Sequence, residues 1–373
     1  MTGILFLLLA FLSALQAQPP LRMAQYTSKQ GLPQNSVNSM AFDQHGFLWV
    51  ATQGGIARFD GQHFRTIHNE DHTDLKNQRF SHVLRCNDTI LLFIDASAGM
   101  YLLSNNRFNT IHQEGYPQQS IMQIKGSPPN PFLLSLDTFF RGQVLGNWPT
   151  TCSQIAIFPA YGNKVFVVTK QVKMLDVERK ECQILPIEGV CGEEIACLNG
   201  QILRFDDRGQ LSRLQTNNNT FEKCALIDEA GKPWTKPIVN ASIYSQYPYD
   251  HVFITDDQKL YTLLPTNDRR QFMLSTILHE LPEKCVINSV AYRQADATLV
   301  LGTDSRGLFV YQQQYYKTFT TENAIPPWNN VYYAQSLLDS KTLLISAGME
   351  VDLPAFKFKG LFRHTINPFQ MCN

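Results

Sequence analysis

Asp206-Asp207 and Asp256-Asp257 are pairs of adjacent carboxylates, a residue type that shares acid and base roles when neighbouring charges push two pKa values apart. Each pair stands between apolar runs, one before Gly209 and the other before Gln258-Lys259. Asp favours such places because its side chain closes a turn on nearby backbone N–H groups, so hairpin turns are expected there and not catalysis. The nine His make no metal pair at helical spacing, and no G-x-S-x-G elbow or P-loop occurs. No catalytic group, no metal site and no cofactor are therefore expected. Eight Cys, at positions 86, 152, 182, 191, 197, 224, 285 and 372, include no pair with the two-residue gap of zinc or thioredoxin-like sites. In an oxidising compartment Cys182, Cys191 and Cys197 are close enough in sequence to pair; buried thiols acting as small hydrophobes are the alternative. For ligand contact the candidates are Arg58, Asp304 and Arg306. Each lies beside a Gly-rich turn and is expected at a shared mouth, because loops on a rigid scaffold carry recognition. Solvated loop residues are the alternative reading of all three.

An internal repeat supplies the scaffold. The segment Gly31 to Gly61 is echoed by Ile287-Asn-Ser-Val-Ala-Tyr292, Leu299-Val-Leu-Gly-Thr303 and Arg306-Gly-Leu-Phe-Val-Tyr311. Asn38-Ser39 matches Asn288-Ser289, Leu48 to Thr52 matches Leu299 to Thr303, and Gly55-Ile56 matches Gly307-Leu308. A third copy begins at Asn330-Val331-Tyr332 and runs to Ser346, and its lead-in, Phe319 to Pro326, echoes Tyr26 to Pro33. Asn288 and Asn330 stand 42 residues apart (330 − 288), and the 250 residues from Asn38 to Asn288 (288 − 38) are close to six such periods. Weaker starts fall between, at Ser81, Ser120, Gln154, Glu194 and Ala241. A unit of about 40–45 residues with short alternating strands marks a propeller blade. Eight starts give seven intervals. The expected fold is all-β: a seven-bladed β-propeller, or eight-bladed with the last blade incomplete, of four-stranded antiparallel blades. The Tyr26 segment is expected to pair with the last blade and remove the exposed edge. Trp49, between Leu48 and Val50, is expected to pack between blades.

Met1-Thr-Gly leads into an apolar run from Ile4 to Leu15, followed by Gln16-Ala17. This reads as a secretory signal over residues 1–17, and the run is too short to span a bilayer. The chain is expected to be exported and periplasmic, with an uncleaved leader as its one contact with a membrane. The domains expected are a propeller over 18–348 and an atypical tail over 349–373. With 32 basic and 32 acidic residues and a net charge of zero, nucleic acid is not an expected partner.

The first copy resembles the two-component regulator propeller repeat, on Gly31-Leu32, Asn35 and Val37, then Asp43, Gly46 and Leu48-Trp-Val-Ala-Thr52, then Gly55-Ile56 and Phe59-Asp-Gly61. The copies at Asn288 and Asn330 match in part, and the five between are carried by period and apolar pattern alone. The resemblance implies an exported ligand- or partner-binding module of a two-component sensor, glycan-sensing and without catalysis of its own. An oligosaccharide is the implied ligand, and self-association or a second sensor domain the implied protein contact. Two other classes stay open. One is a propeller enzyme such as a polysaccharide or streptogramin-type lyase, since a fold does not fix a function; it should bring His and Glu together on one face. The other is a non-functional truncated fragment of a sensor kinase. After Gly348 the expected Gly-Leu-x-x-Phe strand is replaced by Met349-Glu-Val-Asp-Leu-Pro354. Read one base earlier, those codons permit Asn-Gly-Gly-Gly, so a frameshift near Gly348 is expected, leaving a tail that pairs poorly.

Overall fold

The computed structural model describes residues 21–67, most of 72–111, residues 124–126, residues 155–313 with short gaps, and the backbone of five strands between 332 and 365. The expected leader at 1–17, the start at Ser120 and the lead-in at 319–326 lie outside the described residues. Contacts divide the chain into two compact units, Ala24–Val310 and Met1–Met23 with Tyr311–Asn373.

Burial is greatest in the middle strands of the sheets and falls toward the outer edge. In blade 1 the strands Leu48–Thr52 and Gly55–Phe59 are almost wholly buried, whereas Phe64–Ile67 is mostly half-buried. Strands covered on both faces read as continuous apolar runs and lose the polar–apolar alternation of a half-exposed sheet. Val37–Phe42 completes blade 1 as its innermost strand. The strands that take the same place in the following blades are Phe80–Arg85, Ile155–Pro159, Ile195–Leu198, Ser242–Ser245 and Ile287–Arg293, and among the described residues only beside Ile155–Pro159 does a further short strand lie on that edge of the sheet.

Among the described residues these six sheets form the propeller, which corrects the expected count of seven or eight blades. The starts at Ser120 and Gln154 are only 34 residues apart (154 − 120) and feed one sheet. Ile124–Gly126 runs parallel to Ile155–Pro159, with Ile124 opposite Ile155, and so adds a fifth strand to blade 3. Blade 5 likewise gains Ala225–Ile227, parallel to Gln271–Leu278, so four strands per blade is not uniform either. The start at Asn330 leads into a strand of the other unit. Closure is as expected: in the sheet of Ile287–Arg293, Leu21–Tyr26 lies beside Leu308–Gln313 as the outer strand of blade 6.

Successive inner strands are tied by side-chain hydrogen bonds to backbone. Asn38 Nδ2 donates to Phe80 O (2.7 Å) and Ser39 Oγ to Val83 O (3.0 Å), from blade 1 to blade 2. Asn288 Nδ2 donates to Val37 O (3.0 Å) and Met40 N to Ser289 Oγ (3.1 Å), joining blade 6 to blade 1. The Asn-Ser pair that aligned the two copies is thus the seam between blades. At the seam of blades 4 and 5, Ser245 Oγ donates to Cys197 O (2.6 Å) and accepts from Cys197 N (3.1 Å), and Tyr244 OH donates to Ile287 O (2.7 Å) from blade 5 to blade 6. Trp49 packs across a seam as expected, its ring centroid 5.6 Å from that of Phe93 in blade 2.

The Asp residues are turn closers. Asp43 Oδ1 accepts from His45 N (2.9 Å) and Phe47 N (3.0 Å), while its Oδ2 accepts from Trp49 Nε1 (2.8 Å). Asp256 does the same with Gln258 N, Lys259 N and Tyr261 OH, and Asp206 Oδ1 accepts from Gln210 N. Asp207 and Asp257 lie outside the described residues. Of the three neighbouring Cys, Cys182 and Cys197 are thiols and Cys191 is in a disulfide, so the trio does not pair within itself.

In the second unit Tyr332–Asp339, Thr342–Ala347 and Leu361–Thr365 form a sheet, and Met349–Asp352 pairs with Ala355–Phe358 as a hairpin. Leu361–Thr365, directly after Gly360, supplies the neighbour that Met349–Asp352 does not give to Thr342–Ala347, with Leu361 opposite Ser346. Strand pairing therefore continues past Gly348, with a Gly-Leu start at 360–361.

The seam of blades 6 and 1 is tight enough to test by size. A Cβ on Gly302 would lie 2.6 Å from Val37 Cγ1 and 3.1 Å from Met40 Cε. Gly302→Ala is expected to cost about 1–3 kcal/mol by overpacking, read as a lower denaturation midpoint.

Candidate functional site

The innermost strands of blades 1, 2 and 6 end at Phe42, Arg85 and Arg293, and the turns after them bound a hollow of about 520 Å³. A narrower recess of about 50 Å³ adjoins it, lined by Tyr247, His251 and Phe253 among others. Phe42, Arg85, Pro248, Asp250 and Tyr292 line both. Together they make a mouth at one end of the inner strands.

A loop of blade 5, residues 246–251, lies across this end of the ring. Tyr247 OH donates to Asp88 Oδ1 of blade 2 (3.0 Å), and the Arg85 guanidinium sits 5.1 Å from the Tyr247 ring centre. Burial pushes the Tyr247 hydroxyl above its ordinary pKa, and its hydrogen bond to Asp88 and that carboxylate's charge act in the same direction, against Arg85. Tyr249 has a left-handed backbone (φ 64), a conformation that costs a non-Gly residue about 1–3 kcal/mol and persists only where surroundings fix it. They do so here: Tyr249 O accepts from Asn199 N of blade 4 (2.6 Å), and its ring lies 5.7 Å from Phe158 of blade 3. His251 stands 2.9 Å from Asp250 Oδ1 through its Nδ1, and its ring is 4.5 Å from that of Tyr292 in blade 6.

Arg293 fixes the opposite wall. It grips Asp296 through two bonds, Nε to Oδ1 (2.9 Å) and Nη2 to Oδ2 (2.6 Å), donates through Nη1 to Gly46 O of blade 1, and lies 5.0 Å from the Phe42 ring centre. The mouth thus offers aromatic rings for apolar faces, with Asp250 and the amides of Gln44 and Gln294 for hydroxyl groups. Among the described residues no group of three His, Cys, Asp or Glu is placed to hold a metal ion, and no helix is long and apolar enough to cross a membrane.

The three residues singled out from sequence are not gathered here. Arg58 lies in the third strand of blade 1 opposite Trp49, with its guanidinium 4.4 Å from the Phe47 ring centre. That is the mouth's end of the blade, but further from the inner strand. Asp304 and Arg306 occupy the turn at the other end of blade 6, where Asp304 Oδ1 accepts from Val286 N (3.0 Å) and Arg306 Nη1 donates to Glu283 O (2.8 Å). A signal for the lining of the mouth was present. Phe42, Arg85 and Tyr292 each stand four residues after a repeat start, at Asn38, Ser81 and Asn288. Tyr247, Asp250 and His251 carried none, because their loop reaches blades distant in sequence.

The fold is that of a β-propeller. Residues 31–54 match the family "Two component regulator propeller". No protein of curated function matches the chain. Among solved structures it is similar to the extracellular domain of a hybrid two component system from B. thetaiotaomicron, at 15% identity and a TM-score of 0.49 over 93% of this chain and 48% of that one. It is also similar to the extracellular domain of a one component system from the same organism, at 12% identity and a TM-score of 0.44 over 87% and 44%, and to streptogramin B lyase, at 9% and 0.39 over 78% and 97%. The chain spans about half the length of the first two.

The grip on Asp296 gives a pH signature. Burial raises its carboxyl pKa, but the hydrogen bonds from Arg293 and Thr298 and the Arg293 charge outweigh this and hold it below the usual 3.8. A carboxyl depressed in the folded state adds stability that is present above its ordinary pKa and lost as pH falls through the folded value. Stability of the wild type should therefore fall more steeply than that of Asp296→Asn from about pH 5 down to about pH 2, followed by denaturant titration at each pH.

Proposed function

We propose that this propeller is the ligand-recognising module of an exported sensor, and that the mouth around Tyr292 takes up an oligosaccharide without changing it. The observation that carries this reading is the hollow of about 520 Å³, within the range of roughly 300–1,000 Å³ typical of small-molecule sites. It is walled by Phe42 and Tyr292 and edged by Asp250, Gln44 and Gln294. A sugar ring presents an apolar C–H face, which suits an aromatic wall, and a rim of hydroxyls, which need acceptors once they leave water. The family match of residues 31–54 supports a signalling role, in which a further domain reads the occupied state.

The enzyme reading draws on His251 and Asp250, which stand together in the mouth. It also asks for a Glu, and none lines either hollow among the described residues. Calorimetry over an oligosaccharide panel, with product analysis of each mixture, separates the two. Binding with the sugar recovered intact is expected, and Tyr292→Ala should weaken it about tenfold, near 1.4 kcal/mol. Cleaved or eliminated sugar that disappears in His251→Ala would make the chain a lyase or hydrolase. Unchanged affinity in Tyr292→Ala would remove the mouth as the site.

A further inference from the structure

Arg213, in the third strand of blade 4, Leu211–Leu214, is a guanidinium without an adequate partner. Its side chain is only 14% exposed, and its one ion pair, to Glu222 Oε2, is long at 3.8 Å. Glu222 is engaged elsewhere: its Oε1 is 2.7 Å from Arg270 Nη2, and its Oε2 accepts from Gln215 Nε2. Among the described residues no acceptor takes a hydrogen bond from the Arg213 N–H groups. None of the Arg213 nitrogens is among the fully buried polar atoms left without a partner, so they reach solvent and can be met by an exogenous acceptor.

Room for one is present. Arg213 opens on a hollow of about 210 Å³, which Arg269 also lines from the turn between two strands of blade 5. Gln201, Gln215 and Thr216 add neutral polar groups to its wall. Arg213, Arg269 and Arg270 face Glu222 and Asp268, which leaves one net positive charge, and Asp268 Oδ1 is occupied by the backbone N–H of Arg270 (2.9 Å). We propose that this hollow is a second ligand site, for an oxyanion carried on a sugar: a sulfate ester or a carboxylate. The planar guanidinium fork matches either group with two parallel hydrogen bonds. It shares no lining residue with the mouth, so either site can fail without the other.

Calorimetric and thermal-shift titrations of the whole chain at constant ionic strength test this, using inorganic sulfate, glucuronate and uncharged glucose as probes. Saturable binding of sulfate, glucuronate or both is expected, and none of glucose at this site. Preference between the anions distinguishes the ester from the carboxylate. Arg213→Gln should weaken anion binding at least about tenfold, while Tyr292→Ala leaves it unchanged. Arg269→Gln, a change at an exposed turn residue, gives the same test if Arg213→Gln folds poorly. No saturable binding of either anion, or equal binding by wild type and both Arg variants, would overturn the proposal.

Discussion

At four seams, those of blades 1–2, 4–5, 5–6 and 6–1, a side chain reaches from one inner strand to the backbone of its neighbour. Asn38 bonds Phe80 O and Asn288 bonds Val37 O, in each case the residue immediately before a repeat start. A carbonyl has a second lone pair beyond its sheet bond, so such a bond adds to the sheet without competing with it. It also sets the height of one strand against the next. Phe42, Arg85 and Arg293 end their strands together for this reason, and the mouth exists because they do.

Over that frame the 246–251 loop spans the axis. Tyr247 anchors it to blade 2, Tyr249 to blades 3 and 4, and His251 to blade 6. A left-handed Tyr249 is tolerated because tertiary contacts fix it from several sides. Such a loop gives recognition groups a fixed geometry before any ligand arrives, and this preorganisation limits the entropy lost on binding.

The repeat was legible where chemistry restricted residue type. Asn38-Ser39 and Asn288-Ser289 serve the seam, and Asp43, Gly46 and Trp49 close and anchor one turn. Propeller class, ring closure by the Tyr26 segment and the turn role of Asp206 and Asp256 followed from those constraints. The blade count did not, because apolar runs between 81 and 241 show strands without showing which sheet they join; Ile124–Gly126 joins blade 3 as a parallel partner. The lining of the mouth was not legible for a related reason. Nearness to a Gly turn chose Arg58, Asp304 and Arg306, but such turns lie at both ends of a blade. The mouth is assembled from four blades far apart in sequence, and only the shared repeat position of Phe42, Arg85 and Tyr292 hinted at it.

Among the described residues the seam of blade 6 with blade 1 joins the last sheet of the propeller to the first and thereby sets the mouth. Met40 N donates across that seam to Ser289 Oγ, so hydrogen exchange of the Met40 amide tests it most directly. The account predicts that Met40 in the wild type exchanges only with global unfolding. In Ser289→Ala it should exchange faster, while Cys197, held by Ser245 at another seam, keeps its protection. Rapid exchange of Met40 in the wild type, or a rate untouched by Ser289→Ala, would contradict closure at that seam.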